Sequence, residues 1–365
     1  MNHAIFTEMK QNKYQVLGVM SGTSLDGIDL ALVTLSPPNP TGTNHWTYQF
    51  EHTQTIAYDN RWKRILQEAV HFSKGRLQQL NIEYTRFLAQ TIQEHIPENS
   101  IQQLDAVCSH GHTILHEPDK GVTLQIGNLK ELSTLLNTTV VCDFRVQDVT
   151  LGGQGAPLVP VGDRLLFSEY DSCLNLGGFA NCSSEQNGKR IAYDIGPVNI
   201  VMNYYAEKLG HPYDASGAIA ASGRINEALL QQLNALEFYR QPPPKSLGLE
   251  WVNQKIFPLL NISEETPENI LRTFVEHIAM QLAIQFASDS HVLVTGGGAY
   301  NTFLMERLQA HTHATFQLPN TQLVEYKEAL VFGLLGVLRL RDEVNCLSSV
   351  TGASHDHSSG RIYKP

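Results

Sequence analysis

Two segments about half the chain apart share a plan that few architectures accommodate. Tyr14 to Met20 is a strand-like run that enters the turn Ser21-Gly22-Thr23-Ser24-Leu25-Asp26-Gly27, and a second run, Ile28 to Leu35, returns from it. Ser172 to Leu176 likewise runs into Gly177-Gly178; Phe179 to Ser183 follows, then the turn EQNGKR and the run Ile191 to Ile195. A strand, a glycine-containing turn and a returning strand at both places predict a duplicated fold, one copy starting near residue 14 and the other near 172. The 365 residues are enough for two domains that each bury a core. We place them at 1–170 and 171–365, with the last helix and tail as candidates to pack back on the first.

Between these segments the pattern alternates. Helical periodicity covers Asn60 to Phe72 and Ile82 to His95, and strands are expected at Asp105 to Ser109 and Thr139 to Asp143. A helix over Asn199 to Leu209 follows the second copy's strands. From Glu268 to Ala287 the apolar residues Ile270, Leu271, Phe274, Ile278, Leu282 and Phe286 keep the 3.6-residue period of one helix face. A strand, His291 to Thr295, meets Gly296-Gly297-Gly298, and a last helix covers Lys327 to Leu340. Interleaved strands and helices define an α/β protein. Pro37 to Pro40 and Pro242 to Pro244 are surface loops. The polar tail from Ser348, including His355-Asp356-His357, reads from composition as solvated and partly disordered.

Composition closes off several function classes. No window of about 18 apolar residues exists, and the N-terminus MNHAIFTEMKQNKYQ lacks the basic start and apolar core of a secretory signal, so a cytoplasmic protein is expected. With 26 basic against 36 acidic residues and a net charge of −10, no clustered Lys or Arg offers a nucleic-acid footprint. The five cysteines, Cys108, Cys142, Cys173, Cys182 and Cys346, are scattered and never form a CxxC pair, which predicts reduced, mostly buried thiols without a disulfide framework or zinc site.

The chemistry-bearing residues cluster at strand ends. In Gly22-Thr23-Ser24-Leu25-Asp26-Gly27-Ile28-Asp29, glycines admit a phosphate to the backbone, hydroxyls and amides donate to it, and Asp26 or Asp29 can hold magnesium or its waters. An ordinary hairpin turn uses the same residue types. Gly177-Gly178 and Gly296-Gly297-Gly298-Ala299 supply two more glycine turns, and three such turns suit a nucleotide. Neither a GxxxxGK[ST] loop nor a protein-kinase HRD or DFG set is present. Asp194, where a strand ends in Tyr193-Asp194-Ile195-Gly196, is placed to act as a general base or to cap the next helix. In Asp143-Phe144-Arg145-Val146-Gln147-Asp148 an Arg flanked by acids can grip a carboxylate or hydroxyl-rich ligand, or form a structural ion pair. His110, His112 and His116 fit hydrogen bonding to a polar ligand better than metal ligation, because Gly111 argues for a loop and no zincin pattern accompanies them.

Taken in order, GVMSGTSLDGIDLALV (Gly18 to Val33), CSHGHTILHEP (Cys108 to Pro118), TLQIGN, VCDFRVQDVTLGGQGAPLVP (Val141 to Pro160), LNLGGFAN, YDIGPVN (Tyr193 to Asn199), PKSLGLEW, TGGGAYN and SSVTGA (Ser348 to Ala353) resemble the anhydro-N-acetylmuramic acid kinases over nearly the whole chain. The resemblance implies two duplicated actin-like (ribonuclease H-like) α/β domains of the sugar kinase/actin superfamily, with ATP in a cleft between them and magnesium as cofactor. It also implies an ordered tail. The activity implied is hydrolytic opening of the 1,6-anhydro ring of 1,6-anhydro-N-acetylmuramic acid with phosphorylation of the freed 6-oxygen, in cell-wall recycling. Carried over by position, Gly22 to Asp29, Gly177-Gly178 and Gly296 to Ala299 would bind ATP. Asp194 would be the base, and His110, Arg145, Asp148, Asn181 and Glu328, the last opening the final helix, would contact the sugar. A homodimer is implied by the family alone.

This chain departs from the family at four points: DTGPGN is DIGPVN, with Ile195 and Val198; QIGD is QIGN, with Asn128; and His112 stands for a common Gln. Two other readings use the same residues. A levoglucosan kinase-like enzyme shares the anhydro-ring chemistry on a sugar without the N-acetyl and lactyl groups, and a binding regulator would take nucleotide or sugar without turnover. Arg145 favours the carboxylate-bearing sugar, and the retention of Asp194 with the phosphate turns favours an enzyme.

Overall fold

The computed structural model describes residues 12–22, 25–39, 43–262 and 264–365. Thr23 and Ser24 of the first turn, and Pro40 of the first proline loop, lie outside them. In chain order the strands among the described residues are β1 (Tyr14–Ser21), β2 (Gly27–Ser36), β3 (Thr47–Ala57), β4 (Ala106–Glu117), β5 (Val122–Ile126), β6 (Val140–Cys142), β7 (Ser172–Leu176), β8 (Phe179–Gln186), β9 (Lys189–Pro197), β10 (His291–Thr295), β11 (Thr315–Gln317) and β12 (Arg361–Tyr363).

The chain divides into two compact units. The first comprises residues 1–166 and 326–365, the second 167–325. The second domain thus ends at Glu325 rather than at the C-terminus, and the division falls inside the helix Thr321–Leu340. In the first unit a mixed sheet runs β12-β6-β4-β1-β2-β3, with β5 paired to β4. β1 to β3 form an antiparallel meander, and β4 and β6 add in parallel. The second unit's sheet runs β11-β10-β7-β8-β9, again an antiparallel meander followed by two parallel additions. The shared core order and strand sense give the two sheets one topology.

Each sheet is closed by helices whose apolar faces the sequence supplies. In the second unit Pro267–Ala283 starts at Thr266, whose hydroxyl accepts from the Asn269 N–H, with Pro267 at the position where a missing N–H costs nothing. Ile270, Leu271, Phe274, Ile278 and Leu282 are buried against the core that also takes Leu174, Leu176, Ile195 and Val294. Burying each such side chain contributes roughly 1.5–3 kcal/mol. In the first unit the helix Lys74–His95 begins a full two turns before the expected Ile82, because Ser73 caps it. The helix expected over Lys327 to Leu340 also starts early, at Thr321, after Asn320 accepts from the Leu323 N–H. Among the described residues no helix is long and apolar enough to cross a membrane.

Two expectations fail in the first unit. His110-Gly111-His112 is not a loop: β4 runs through it, with Gly111 taking φ +75° where the pairing with β1 shifts register. The tail is not loose either. Ser348–Thr351 is helical, Cys346 bridges to His357, β12 pairs antiparallel with β6, and His357 is 6% exposed rather than solvated. Short polar segments of this kind carry no periodicity, so only their partners reveal them.

Candidate functional site

The first glycine turn links β1 to β2. Gly22 and the exposed Asp26 flank its tip, and Leu25 sits in the left-handed region at φ +61°. The residues that follow in the expected phosphate loop already belong to β2. Gly27 is packed so that a Cβ would lie 2.3 Å from the Ile56 carbonyl, and Ile28 is fully buried, so its side chain belongs to the core rather than to a ligand. Asp29 is half-buried and accepts from the Thr55 hydroxyl at 2.6 Å. Beneath the turn lies a polar cluster no sequence signal announced. The Ser21 hydroxyl is 2.5 Å from the Tyr58 hydroxyl and 2.8 Å from His112 Nδ1, the Tyr84 hydroxyl donates to Ser21 at 3.1 Å, and Tyr58 and Tyr84 bond to each other. Burial pushes His112 down to about 4, so its ring is neutral at physiological pH.

The first unit also assembles His110, Arg145 and Glu328. Arg145 Nε donates to His110 Nε2 at 2.8 Å and Nη1 donates to the Gly155 carbonyl at 2.6 Å. His110 must therefore carry its proton on Nδ1, which is buried without a hydrogen-bond partner. Burial and the neighbouring Arg145 charge hold His110 well below its usual range. Burial also brings Arg145 down to about 10, which leaves it charged at neutral pH. Arg145 is not ion-paired to its flanking acids: Asp143 instead meets Arg361 at 2.9 Å. Glu328 lies in the body of the last helix, not at its start. Its side chain is open to solvent yet ringed by protein, and the resulting desolvation raises its carboxyl against the pull of Arg145.

Asp148 is a correction to the expected sugar contact. It has no exposed surface, and both oxygens are engaged: Oδ2 accepts from the Gly155 N–H at 2.7 Å, and Oδ1 from the Thr351 hydroxyl at 2.7 Å and the Cys346 thiol at 3.0 Å. It fastens the loop after Arg145 rather than facing a ligand.

In the second unit the second and third glycine turns meet, because β7 and β10 are parallel neighbours and both turns follow their C-terminal ends. Gly296 adopts φ +84°, and a Cβ on it would lie 2.7 Å from Asn175 Oδ1; a Cβ on Gly298 would lie 2.8 Å from the Leu176 carbonyl. The carbonyl of Gly178 accepts from Val198 at 2.8 Å and that of Gly177 from Asn199 at 3.3 Å, which docks the N-terminus of the helix Asn199–Glu207 onto the turn. Around this junction opens a cavity of about 470 Å³, lined among others by Asn199, Asn203, Ser216, Gly297, Gly298 and Tyr300. Its size and its backbone-rich wall fit a nucleoside. Ala299 is buried behind it.

Asp194 stands on β9 directly opposite Asn181 on β8, so those two residues share one place on the sheet. It does not cap the next helix, whose N-cap is Val198 without a side-chain bond. Its Oδ2 accepts from the Leu247 N–H at 2.8 Å, and its own N–H donates to the Lys245 carbonyl at 2.9 Å. Burial raises the carboxyl above its ordinary range, against the opposing Leu247 bond. The loop Lys245–Leu247 is thus a positioning element for Asp194. The PKSLGLEW motif signalled its presence but not its partner.

Strand-end glycine turns, a nucleoside-sized cavity and a held carboxylate are parts a phosphotransferase uses, and comparison with known proteins agrees. A family model described as anhydro-N-acetylmuramic acid kinase matches residues 14–365. Anhydro-N-acetylmuramic acid kinases of Pasteurella multocida (strain Pm70) and Vibrio cholerae serotype O1 are each 36% identical, over 97% and 96% of this chain and 98% of theirs. That of Acinetobacter baylyi is 35% identical over 95% of this chain and 98% of its own. The chain is therefore a kinase. It belongs to the anhydro-N-acetylmuramic acid kinase family.

Proposed function

We propose that this kinase uses ATP to convert 1,6-anhydro-N-acetylmuramic acid and water into N-acetylmuramic acid 6-phosphate and ADP, in peptidoglycan recycling, and that Asp194 is its base. The observation that carries the assignment of the base is the setting of Asp194: a half-buried carboxylate within β9, fixed by a backbone N–H and raised by desolvation toward the basicity a general base needs. Asp194 takes a proton from the water whose oxygen bonds to the anomeric carbon. The bond from that carbon to the 6-oxygen breaks, and the 6-oxygen receives the γ-phosphoryl group while ADP leaves. Because the leaving oxygen is captured by phosphorus, no second carboxylic acid is required, unlike ordinary glycoside hydrolysis.

The remaining residues position and neutralise. The glycine turns at Gly22–Asp29, Gly177-Gly178 and Gly296–Ala299 are proposed to hold ATP, with the cavity beside Gly297 and Gly298 taking its nucleoside. Asp26, exposed, and Asp29 offer the hard oxygen donors that magnesium prefers, and magnesium bound with ATP supplies charge neutralisation for the transfer. Arg145, braced by His110 and Gly155, is proposed to grip the carboxylate of the lactyl group through Nη2, and Asn181 and Glu328 to contact sugar hydroxyls. We further propose the actin-like (ribonuclease H-like) duplication, with ATP taken between the two domains, a homodimer, and a cytoplasmic location. The shared strand order of the two sheets supports the duplication.

ADP release with MgATP tests the reaction, comparing 1,6-anhydro-N-acetylmuramic acid, levoglucosan and no sugar. Release with the muramic sugar alone, lost in Asp194→Asn, is expected. Release with levoglucosan alone would transfer the assignment to that substrate, and silence with both would leave a binding protein.

A further inference from the structure

Away from the proposed chemistry, Asp148, Cys346 and His357 converge in the interior of the first unit with their ligand atoms all within 4.8 Å of one another. Asp148 comes from the short helix Val146–Thr150, and Cys346 and His357 face each other across an isolated bridge. All three are buried, at 0%, 1% and 6% exposure.

One nitrogen of this cluster is left without a hydrogen-bond partner. His357 Nδ1 lies 3.1 Å from the His355 carbonyl, which can only accept, so Nδ1 carries the ring's hydrogen. In a neutral ring Nε2 is then a bare lone pair, and it is buried with no hydrogen-bond partner. It faces Asp148 Oδ1 at 3.6 Å, another acceptor, too far for a hydrogen bond even from a doubly protonated ring. Asp148 Oδ1 is already engaged by Thr351 and Cys346, so the unpartnered atom is Nε2, and an imidazole lone pair buried against a carboxylate is costly unless something positive lies beside it. A histidine that donates Nδ1–H to a backbone carbonyl and presents Nε2 is also the arrangement of a metal-bound imidazole.

We propose that Asp148 Oδ1, Cys346 Sγ and His357 Nε2 bind a zinc ion. The oxygen–nitrogen–sulfur donor set suits zinc, whose tetrahedral ligand atoms stand about 3.3–3.8 Å apart, and the observed Sγ–Oδ1 and Nε2–Oδ1 separations of 3.0 and 3.6 Å need only small adjustment. The Thr351 hydroxyl, 2.7 Å from the same Asp148 oxygen, is a further oxygen donor beside them. Zinc entry replaces the S–H bond by a Zn–S bond and sends one proton to solvent, while Asp148 and His357 give lone pairs already unprotonated. The ion would clip the segment following Arg145 to the C-terminal region. This departs from the expectation, drawn from cysteine spacing, that no zinc site exists: Asp148 lies 198 residues before Cys346, and the set contains a single cysteine, so no cysteine spacing announces it.

The test uses the full chain. Elemental analysis after purification without added chelator is expected to give one zinc per chain. After zinc removal, cobalt(II) titration is expected to give a saturable thiolate-to-cobalt charge-transfer band with the visible bands of tetrahedral cobalt, lost in Cys346→Ser and weakened in His357→Gln. Trace zinc together with no charge-transfer band in the wild-type chain would overturn the proposal, and so would a band that persists in soluble, folded Cys346→Ser. If the variants fail to fold, the wild-type cobalt spectrum decides alone, since it needs no mutant.

Discussion

The turn between β1 and β2 and the turn between β7 and β8 hold the same place in two sheets of the same strand order, yet they are made firm by different means. The first is long, carries Leu25 in a left-handed conformation, and rests on buried hydroxyls and an imidazole from Ser21, Tyr58, Tyr84 and His112. The second is a tight glycine pair whose carbonyls receive the N-terminus of the next helix and whose flank is filled by the third glycine turn. Side-chain networks brace one glycine turn, and backbone contact braces the other. The first arrangement tolerates local change at a cost per hydrogen bond, whereas the glycines of the third turn that fill the second turn's flank, Gly296 and Gly298, leave no room for a methyl group.

The largest expected effect falls on the second unit. Asp194→Asn should lower kcat for ADP release by about a thousandfold, within the range general bases contribute, and leave KM for ATP little changed. A variant that kept turnover would move the base away from β9. With Asp194 as the proposed base, its raised carboxyl places the acid limb of the wild-type kcat profile above the ordinary carboxylate value, because activity would be lost as pH falls through its pKa. A limb at ordinary carboxylate pH would contradict that setting.

Next in size is Glu276, buried between Arg272, Arg307 and His311 at 2.6–2.8 Å. Burial acts to raise its carboxyl, but the hydrogen bonds from Arg307, Arg272 and His311 outweigh this and hold it at about 2. Its stabilisation is thus complete above the unfolded value of about 4.3 and is lost as pH falls from there toward 2. Glu276→Gln should cost about 3 kcal/mol in urea unfolding. Hydrogen exchange in acid should show residues 167–325 opening before the first unit; the reverse order would show that this cluster does not set acid stability.

The backbone account of the second turn is sharpened by two glycines. Gly296→Ala forces φ +84° and a Cβ 2.7 Å from Asn175 Oδ1, and should cost about 2 kcal/mol and raise KM for ATP. Gly177→Ala meets nothing nearer than Asn175 Nδ2 at 3.3 Å and should change stability by less than about 0.5 kcal/mol. Equal losses in thermal unfolding would mean that the two positions are not distinguished by packing. An effect between those of the two glycines is expected at Tyr84→Phe, which removes one hydroxyl from beneath the first turn. It should cost about 1 kcal/mol and raise KM for ATP by no more than about fivefold; no change in either would make the network ornamental.

What the residue pattern revealed, and what it hid, follows from how far apart the partners lie. Strands β7 and β10 and the helix face Ile270 to Leu282 were legible because periodicity and glycine punctuation are local, although the helix stops at Ala283 and leaves Phe286 beyond its end. The polar edge strand β3 was missed because its side chains, such as Glu51 and His52, alternate without an apolar face to declare it. The sequence pattern drew attention to Arg145 and Asp194 but not to their partners: His110 is 35 residues from Arg145, and Leu247 is 53 from Asp194. The identical logic explains Asp148. Its acidic character beside Arg145 suggested a ligand contact, while Thr351 and Cys346, which occupy it, lie 203 and 198 residues away.

The first unit is built from both ends of the chain, with β12 hydrogen-bonded to β6 and Arg361 paired to Asp143. On the ribosome, where contiguous domains fold as they emerge, the second unit has all of its residues once Glu325 is out. The first must wait, its sheet edge at β6 uncovered, until the last strand leaves the exit tunnel. The order of maturation is therefore the reverse of the order of synthesis, and a stalled or clipped nascent chain presents a finished second unit beside an unfinished first.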